Sequence, residues 1–303
     1  MTDLIYLAVI AVPVLVALAL VFGNPDKQRT KISRIFFLAA IFVFTYLPIA
    51  VLIIFSFNEG RSTGVWEGFS LKWYKELFAD ERIIRSVITT VIVAFSSAII
   101  STVFGTFASI GIFYMKKIPK TIILNITNLP ILNADIITGV SLLLLYNIIG
   151  IPLGYVSLIL AHISFNIPYV ILSVMPKLKQ MDNNIYEAAL DLGATPFQAL
   201  RRVIIPEIRP GMISGFILAF TLSIDDFAVT IFTNGTDGLQ TLSTYIYADA
   251  RKGGLTPELR ALSTIILVVV LILLIVVNYR SHRQARRAEQ QQAALKPKNP
   301  VRR

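Results

Sequence analysis

Residues Glu187–Pro206 read EAALDLGATPFQALRRVIIP. The stretch is polar, helix-competent and set between two long apolar runs. Glu187, Ala188, Ala189, Leu190 and Leu192 favour helix, and Glu187 and Asp191, four apart, share one face of it. Gly193 permits a sharp turn because it tolerates φ > 0. Thr195-Pro196 has the form of a helix cap followed by a first-turn proline. Phe197, Leu200 and Ile204 then give a second short helix an apolar stripe. Pro206 and Pro210 are expected to stop that helix before the next apolar run. Two roles fit such a loop: a firm surface on which another subunit closes, or an amphipathic helix pair resting on the membrane surface.

The flanking runs decide the surroundings. The chain of 303 residues is 55% hydrophobic and only 15% charged, with a mean hydropathy of +0.70. That is too apolar for an ordinary soluble domain. A bilayer core about 30 Å thick takes roughly 20 apolar residues of helix. Seven segments qualify: Leu4–Phe22, Ile35–Phe57, Ser86–Met115, Thr121–Ile151, Leu153–Pro176, Gly211–Thr233 and Ala261–Tyr279. The expected fold class is therefore an all-α polytopic membrane protein. The absence of cysteine excludes a disulfide scaffold, a thiolate metal site and a cysteine nucleophile. Two histidines, His162 and His282, do not make a metal cluster. No G-x-x-x-x-G-K-[ST] string is present, so the chain has no P-loop of its own. Neither a catalytic group nor a resident metal is expected.

The net charge of +10 raises the question of nucleic acid, and the distribution of the charge answers it. With the Glu187 loop placed in the cytoplasm, alternation of spans puts four segments inside. They hold 20 of the 28 basic residues: four in 23–34, three in 116–120, five in 177–209 and eight in 280–303. The outer segments hold five in 58–85 and three in 234–260. This is the positive-inside pattern, and the basic tail reads as a solvated run against anionic lipid.

The chain divides into residues 1–34 (a first apolar span and a basic linker), a core over 35–279 with the polar loop at about 177–209, and a basic tail over 280–303. Leu4–Phe22 leaves two readings open, an uncleaved helix or a removable signal; the only early charge is Asp3, which suits the former better. The outer segment WEGFSLKWYKELFADERI mixes aromatics with charge. Leu71, Tyr74, Leu77 and Phe78 follow helical spacing there, as in an interfacial helix or a platform for an external partner. Thr121–Ile151 is long, and Asn125, Asn128, Pro130, Asn133 and Asp135 interrupt it. Proline disrupts helix, and a broken helix at membrane depth is tolerated against protein or a water-filled path. A plain kink at Pro130 is the simpler reading.

Three acids fall inside spans: Asp135, Asp225 and Asp226. No Lys or Arg lies in Thr121–Ile151 or Gly211–Thr233. Intramembrane carboxylates are expensive and point to function. Counting from Lys120 and Gly211 at 1.5 Å per residue places Asp135 and Asp225 about 20 Å up a core of about 30 Å. Adjacent residues diverge by about 100° on a helix, so only one of Asp225 and Asp226 is expected to face a path. Capping remains open for each: Asp135 at a half-helix starting at Ile136, and one of the pair at a helix end. Tyr245, Tyr247, Phe227 and Phe232 could offer π-faces to an amine.

The spacing Glu187-Ala188-Ala189, three residues, Gly193, nine residues, Val203-Ile204-Ile205-Pro206 resembles the EAA loop of bacterial ABC-importer permeases. Val203 and Ile205 stand where Ile and Leu are usual. The runs FTLSIDDFAVTIFTNG, STYIYADARKGGLTPELRALST and WEGFSLKWYKELF are similar to the second permease of the bacterial spermidine/putrescine ABC importers. NADIITGVSLLLLY is similar to that family's P-D-I-V segment, with Asn133-Ala134 where serine or proline is common. The resemblance covers about Ile35–Tyr279. It implies a type I ABC-importer transmembrane domain, a six-span core plus an extra N-terminal span, in the bacterial cytoplasmic membrane. It implies as partners a second permease subunit, an ATPase dimer, an extracytoplasmic polyamine-binding protein and membrane lipid, and no nucleic acid. No cofactor is implied, ATP being bound by the partner subunit, so the chain alone is not an enzyme. Glu187, Ala188, Ala189, Asp191 and Gly193 would couple to the ATPase; Asp135, Asp225 and Asp226 would guide ammonium groups.

Other classes fit less of the chain. An ion-coupled secondary transporter also uses broken helices and intramembrane acids, but has no use for the EAA string. A membrane enzyme such as a lipid transferase calls for clustered polar groups at one interface. Within ABC importers, another cation or small solute is the alternative substrate. The charge partition makes the topology testable in a chain without cysteine. A cysteine replacing Asn183 should stay unlabelled by a membrane-impermeant thiol reagent in intact cells, and one replacing Thr236 should react. Labelling at 183 from outside would reverse the orientation.

Overall fold

The structure, a computed structural model, describes residues 27–62, 64–235, 239–252, 254–272 and 275. The N-terminal run Leu4–Phe22 and the basic tail 280–303 lie outside the described residues. Among the described residues the chain is helical, with a single β-bridge pairing Asn58 with Phe69. Among the described residues, four helices are long and apolar enough to cross a membrane, or five if one bent pair counts as a single span. The remaining expected core span is described as a helix over 257–272.

The described residues form two compact units, one of those up to Ala79 together with those from Leu255 onward, the other within Asp80–Gly254. In the first, helix α1 (Lys27–Ser56) starts earlier than the apolar run and takes in the basic segment 27–34. Asn58 organises the loop that follows. Its side-chain amide donates to the Val65 and Ser62 carbonyls and its Oδ1 accepts from Glu67 N, while its own carbonyl accepts from the Trp73 indole at 2.8 Å. Those bonds seat helix α2 (Lys72–Ala79). Its buried face is Trp73 and Leu77, one turn apart, whereas Leu71 and Phe78 are exposed. The apolar stripe expected through Leu71, Tyr74, Leu77 and Phe78 is thus rotated, because the indole N–H needs the Asn58 carbonyl and Tyr74 turns its hydroxyl to Ser56.

The second unit is built on α3 (Glu81–Phe113), α6 (Tyr155–Gln180) and α9 (Ile205–Asp225). Asp80 caps α3, its Oδ1 accepting from Arg82 N and Ile83 N. Along α3 the buried residues Ser97, Ser101, Gly105 and Ser109 recur every four positions. Such small-residue stripes let helix backbones approach closely where lipid supplies no hydrophobic drive. Val170 of α6 fills the gap: a Cβ on Gly105 would sit 2.7 Å from Val170 Cγ1, and one on Gly215 of α9 would sit 3.3 Å from it. Around it pack Ala98, Ile110, Val174, Leu178, Ile204, Ile208 and Ala219.

Thr121–Ile151 is two helices, α4 (Lys117–Leu132) and α5 (Asp135–Ile149), bent by 106°. The break is not at Pro130, which the helix passes through; it lies at Asn133-Ala134, both in extended conformation. Gly211–Thr233 is also broken. Helix α9 ends at Asp225, and α10 (Ala228–Thr233) starts after Phe227. Between α6 and α9 lie α7 (Asn183–Asp191), α8 (Pro196–Ala199) and a π-turn, Leu200–Ile204. A final short helix, α11 (Leu242–Ala250), follows α10.

The close packing at Val170 gives a stability test with an internal control. Gly105→Ile should destabilise the protein in detergent by about 1–3 kcal/mol through overpacking. Gly111→Ile, on the same helix where a Cβ meets nothing within 4 Å, should leave thermal stability near that of the parent. Equal melting of the two variants would contradict the packing described.

Candidate functional site

Two sites stand out, one at each kind of irregularity. The first is the polar loop. Asp182 caps α7 through Asn184 N at 3.0 Å. The helix closes at Gly193, whose φ of +85° is the left-handed conformation. Gly193 N bonds to Leu190 O and Ala194 N to Ala189 O, the paired arrangement that satisfies the last carbonyls of a helix. Thr195 caps α8 reciprocally, Gln198 N donating to Thr195 Oγ1 at 3.3 Å and Thr195 N to Gln198 Oε1 at 3.0 Å, with Pro196 in the first turn.

The second helix does not stop at Pro206 and Pro210. It runs from Pro196 to Asp225 as one span. The π-turn makes this possible: Ile205 N bonds five residues back to Leu200 O. The widened turn comes immediately before Pro206, whose missing N–H and ring are incompatible with regular helix.

Glu187, Ala188, Asp191 and Gly193 are exposed, and Ala189 is half-buried. Beside them Leu192 is 89% and Phe197 69% exposed. Ile204 and Ile208, by contrast, pack into the core with Leu178 and Met181, and Tyr186 and Leu200 lie against the same cluster. The loop therefore shows one apolar face outward and fastens the other to three spans. Tyr114, just past α3, also meets Tyr186, their ring centroids 5.6 Å apart. Burial there lifts the Tyr114 phenol above its ordinary value, with Tyr186 adding to the rise.

The second site lies at the two broken spans. Gly139 of α5 lies against α10, where a Cβ would come 2.8 Å from Phe232 Cδ2 and 3.0 Å from Ala228 O. That contact draws the two breaks together. Asp225 is within electrostatic range of both Asp226 and Asp135, and Asp135 acts in turn on Tyr169. Asp135 and Asp225 are exposed, and neither has an ion-pair partner among the described residues.

The three acids are not equivalent. Asp135 is the first residue of α5, not its cap; the cap position is Ala134, with no side-chain bond. The Ala134 carbonyl, not the carboxylate, accepts from Ile137 N and Thr138 N. Asp226 is the capping acid. Its Oδ1 accepts from Val229 N at 3.2 Å, and its Oδ2 from Thr230 N and Thr230 Oγ1, both at 2.8 Å. The depth count along straight helices does not hold for Asp135, because the chain turns by 106° before reaching it. Of the four aromatics, Phe227 and Tyr247 pair, with ring centroids 4.3 Å apart.

Sequence reasoning treated His162 only as a metal ligand that lacked companions. The structure places it at this second site, fully buried, with Nε2 3.1 Å from Thr230 Oγ1 and 3.7 Å from Asp226 Oδ2. The missed signal was its spacing from Asn166, four residues on in an apolar span, which makes one polar face of α6.

The model of the binding-protein-dependent transport system inner membrane components matches residues 2–289, beyond the 35–279 of the motif resemblance. The spermidine/putrescine transport system permease protein PotC of Haemophilus influenzae is 36% identical over 231 residues, 76% of this chain and 89% of that protein. The putrescine transport system permease protein PotI of Escherichia coli K12 is 37% identical over 242 residues, covering 77% and 85%. Among solved structures, a bacterial ABC transporter that imports the acidic polysaccharide alginate gives a TM-score of 0.64 at 14% identity, over 86% of this chain and 98% of that one. That likeness establishes the fold, the transmembrane domain of a type I importer. The chain is a multi-pass protein of the cytoplasmic membrane and belongs to the family of binding-protein-dependent transport system inner membrane components.

Proposed function

We propose that this chain is one permease subunit of an ATP-driven polyamine importer, working with a second permease, an ATPase dimer and an extracytoplasmic binding protein. The observation that carries the substrate class is the 36–37% identity to curated spermidine/putrescine and putrescine permeases, each covered over 85% or more of its length. The chemistry of the broken spans agrees with it. A polyamine sheds hydration from spaced ammonium groups as it enters the membrane, and carboxylates on the wall replace part of that hydration while disfavouring anions. Asp135 and Asp225 are exposed and open to this role, whereas Asp226 is committed to its cap.

The loop at Glu187–Pro206 would receive the ATPase. Leu192 and Phe197 offer an apolar surface, with Glu187 and Asp191 on the adjoining helix face. Closure of the ATPases would push on α7 and α8. The buried contacts of Tyr186, Leu200, Ile204 and Ile208 would carry that push into α3, α6 and α9 and turn the pathway outward. The chain contributes no nucleotide site; the hydrolysing subunit is separate.

Two measurements test these assignments. With assembled complexes at equal amounts in vesicles, Asp135→Asn and Asp225→Asn should each lower labelled spermidine uptake at limiting substrate about tenfold, the scale of a lost charge-assisted bond. Asp226→Asn should differ: an amide has one acceptor oxygen where the carboxylate uses two, so it should lose about 1–3 kcal/mol of stability. Wild-type uptake by both exposed-acid variants would remove them from the pathway. For the loop, Glu187→Lys and Gly193→Val should leave the chain in the membrane but uncouple substrate-stimulated ATP hydrolysis. The valine variant acts by forcing a β-branched residue into positive φ, at a cost of about 1–2 kcal/mol. Normal stimulation in both would remove the docking role.

A further inference from the structure

His162 and Asn166 stand one turn apart on the buried face of α6, and both are fully buried. Counting protons assigns the bonds of the first. The Thr230 hydroxyl has a single hydrogen and lies 2.8 Å from Asp226 Oδ2. An ionised carboxylate only accepts, so that hydrogen goes to Asp226. The same hydroxyl oxygen must then accept from His162 Nε2, 3.1 Å away. The imidazole is thereby fixed with its proton on Nε2. Its Nδ1 keeps a lone pair and has no partner among the described residues, which suits an acceptor, the less costly of the two kinds of orphan. The bonds run one way: from α6 through Thr230 to the acid that begins α10. Ser243 Oγ donates to the Asp226 carbonyl, and Leu242 N bonds to Thr90 Oγ1 of α3 at 2.7 Å, so the same break is held from α11 and, through it, from α3.

We propose that His162 is a positioning residue: acting through Thr230, it holds Asp226 in its capping pose and so fixes the break at which Asp225 is presented. This rests on the polyamine reading for its transport readout only. His162 itself touches no substrate. Its effect comes from pinning a two-residue joint, at Asp226-Phe227, to a long span. Without the pin the carboxylate keeps its backbone bonds but loses its lateral anchor, and Asp225 is no longer held in one place. The consequence is weaker capture of cargo, which raises the half-saturating concentration and leaves the maximal rate near that of the parent.

The test uses the complete importer in proteoliposomes with loaded binding protein and labelled spermidine. Four variants are compared at equal assembled amounts: His162→Phe, His162→Gln, Thr230→Val and Asp225→Asn. Phe fills the ring volume without a donor; Gln keeps a side-chain N–H of similar reach. The Phe and Val variants should raise half-saturation about tenfold, the scale of a hydrogen bond to a charged network. Gln should recover most of that loss, and the Phe/Val double variant should be no worse than the poorer single one. A wild-type half-saturation for His162→Phe, with Asp225→Asn impaired, overturns the inference, as does a Gln variant as damaged as Phe. If Asp225→Asn transports normally while the Phe and Val losses stand, are non-additive and are rescued by Gln, the pin is supported and the polyamine–acid reading falls.

Discussion

Inside a bilayer the backbone has no water to turn to, so every break in a spanning helix must find its hydrogen-bond partners within the protein. Among the described residues two spans are broken, and how the breaks are satisfied shapes much of the second unit. At Asp226 the solution is a carboxylate that accepts from two backbone amides and one hydroxyl, with Thr230 leading on to His162. At Asn133-Ala134 a main-chain carbonyl takes the role, and Asp135 is left with its oxygens unspent. Gly139 then lets the two half-helices beyond the breaks lie against each other. Three acids thus gather in one region, one bound into the fold and two exposed. A structural neighbour with the same fold imports an acidic polysaccharide. The sign of the cargo's charge is therefore not a property of the fold, and under the proposed function the exposed acids are the side chains that would favour a cation.

The docking role proposed for the loop makes a different demand: force would have to pass between the loop and the bundle without being absorbed. A flexible linker would dissipate it. Here α8 continues through a π-turn into α9 with no interruption of the helical path. Ile204 and Ile208 are buried on that path beside Leu178 and Met181 at the end of α6. Close-packed interiors transmit strain because they have little free volume. The loop, the end of α6 and the start of α9 pack together, while Leu192 and Phe197 stay exposed.

Much of this was legible in the sequence where local chemistry decides. Gly193, Thr195-Pro196 and the Glu187–Asp191 spacing each specify a turn, a cap or a face without help from distant residues, and each is found as read. Among the described residues, four of the expected spans were legible from length and hydropathy. Prolines were misjudged. Pro206 and Pro210 read as helix stops, yet a π-turn takes up the misfit; Pro130 read as a break, yet the helix passes it. At Pro206 a wider turn that the sequence does not announce overrode the local rule. Asp135 and Asp226 looked alike as capping candidates, because capping depends on backbone angles two or three residues on. No local feature of the sequence gives His162 its role. Its actual partners, Thr230 and Asp226, are more than sixty residues away in the chain.

The account stands on the docking loop moving as one body with the bundle, and a distance measurement across that body tests it most directly. In this cysteine-free chain, spin labels at Asn184 on α7 and Ile217 on α9, both exposed, report the separation in the assembled complex. The distance distribution should be narrow, and the same without nucleotide and with ATP trapped, even as labels on opposing subunits move. A shift or broadening between the two states would show a hinge inside the loop, and the rigid coupling described here would be wrong.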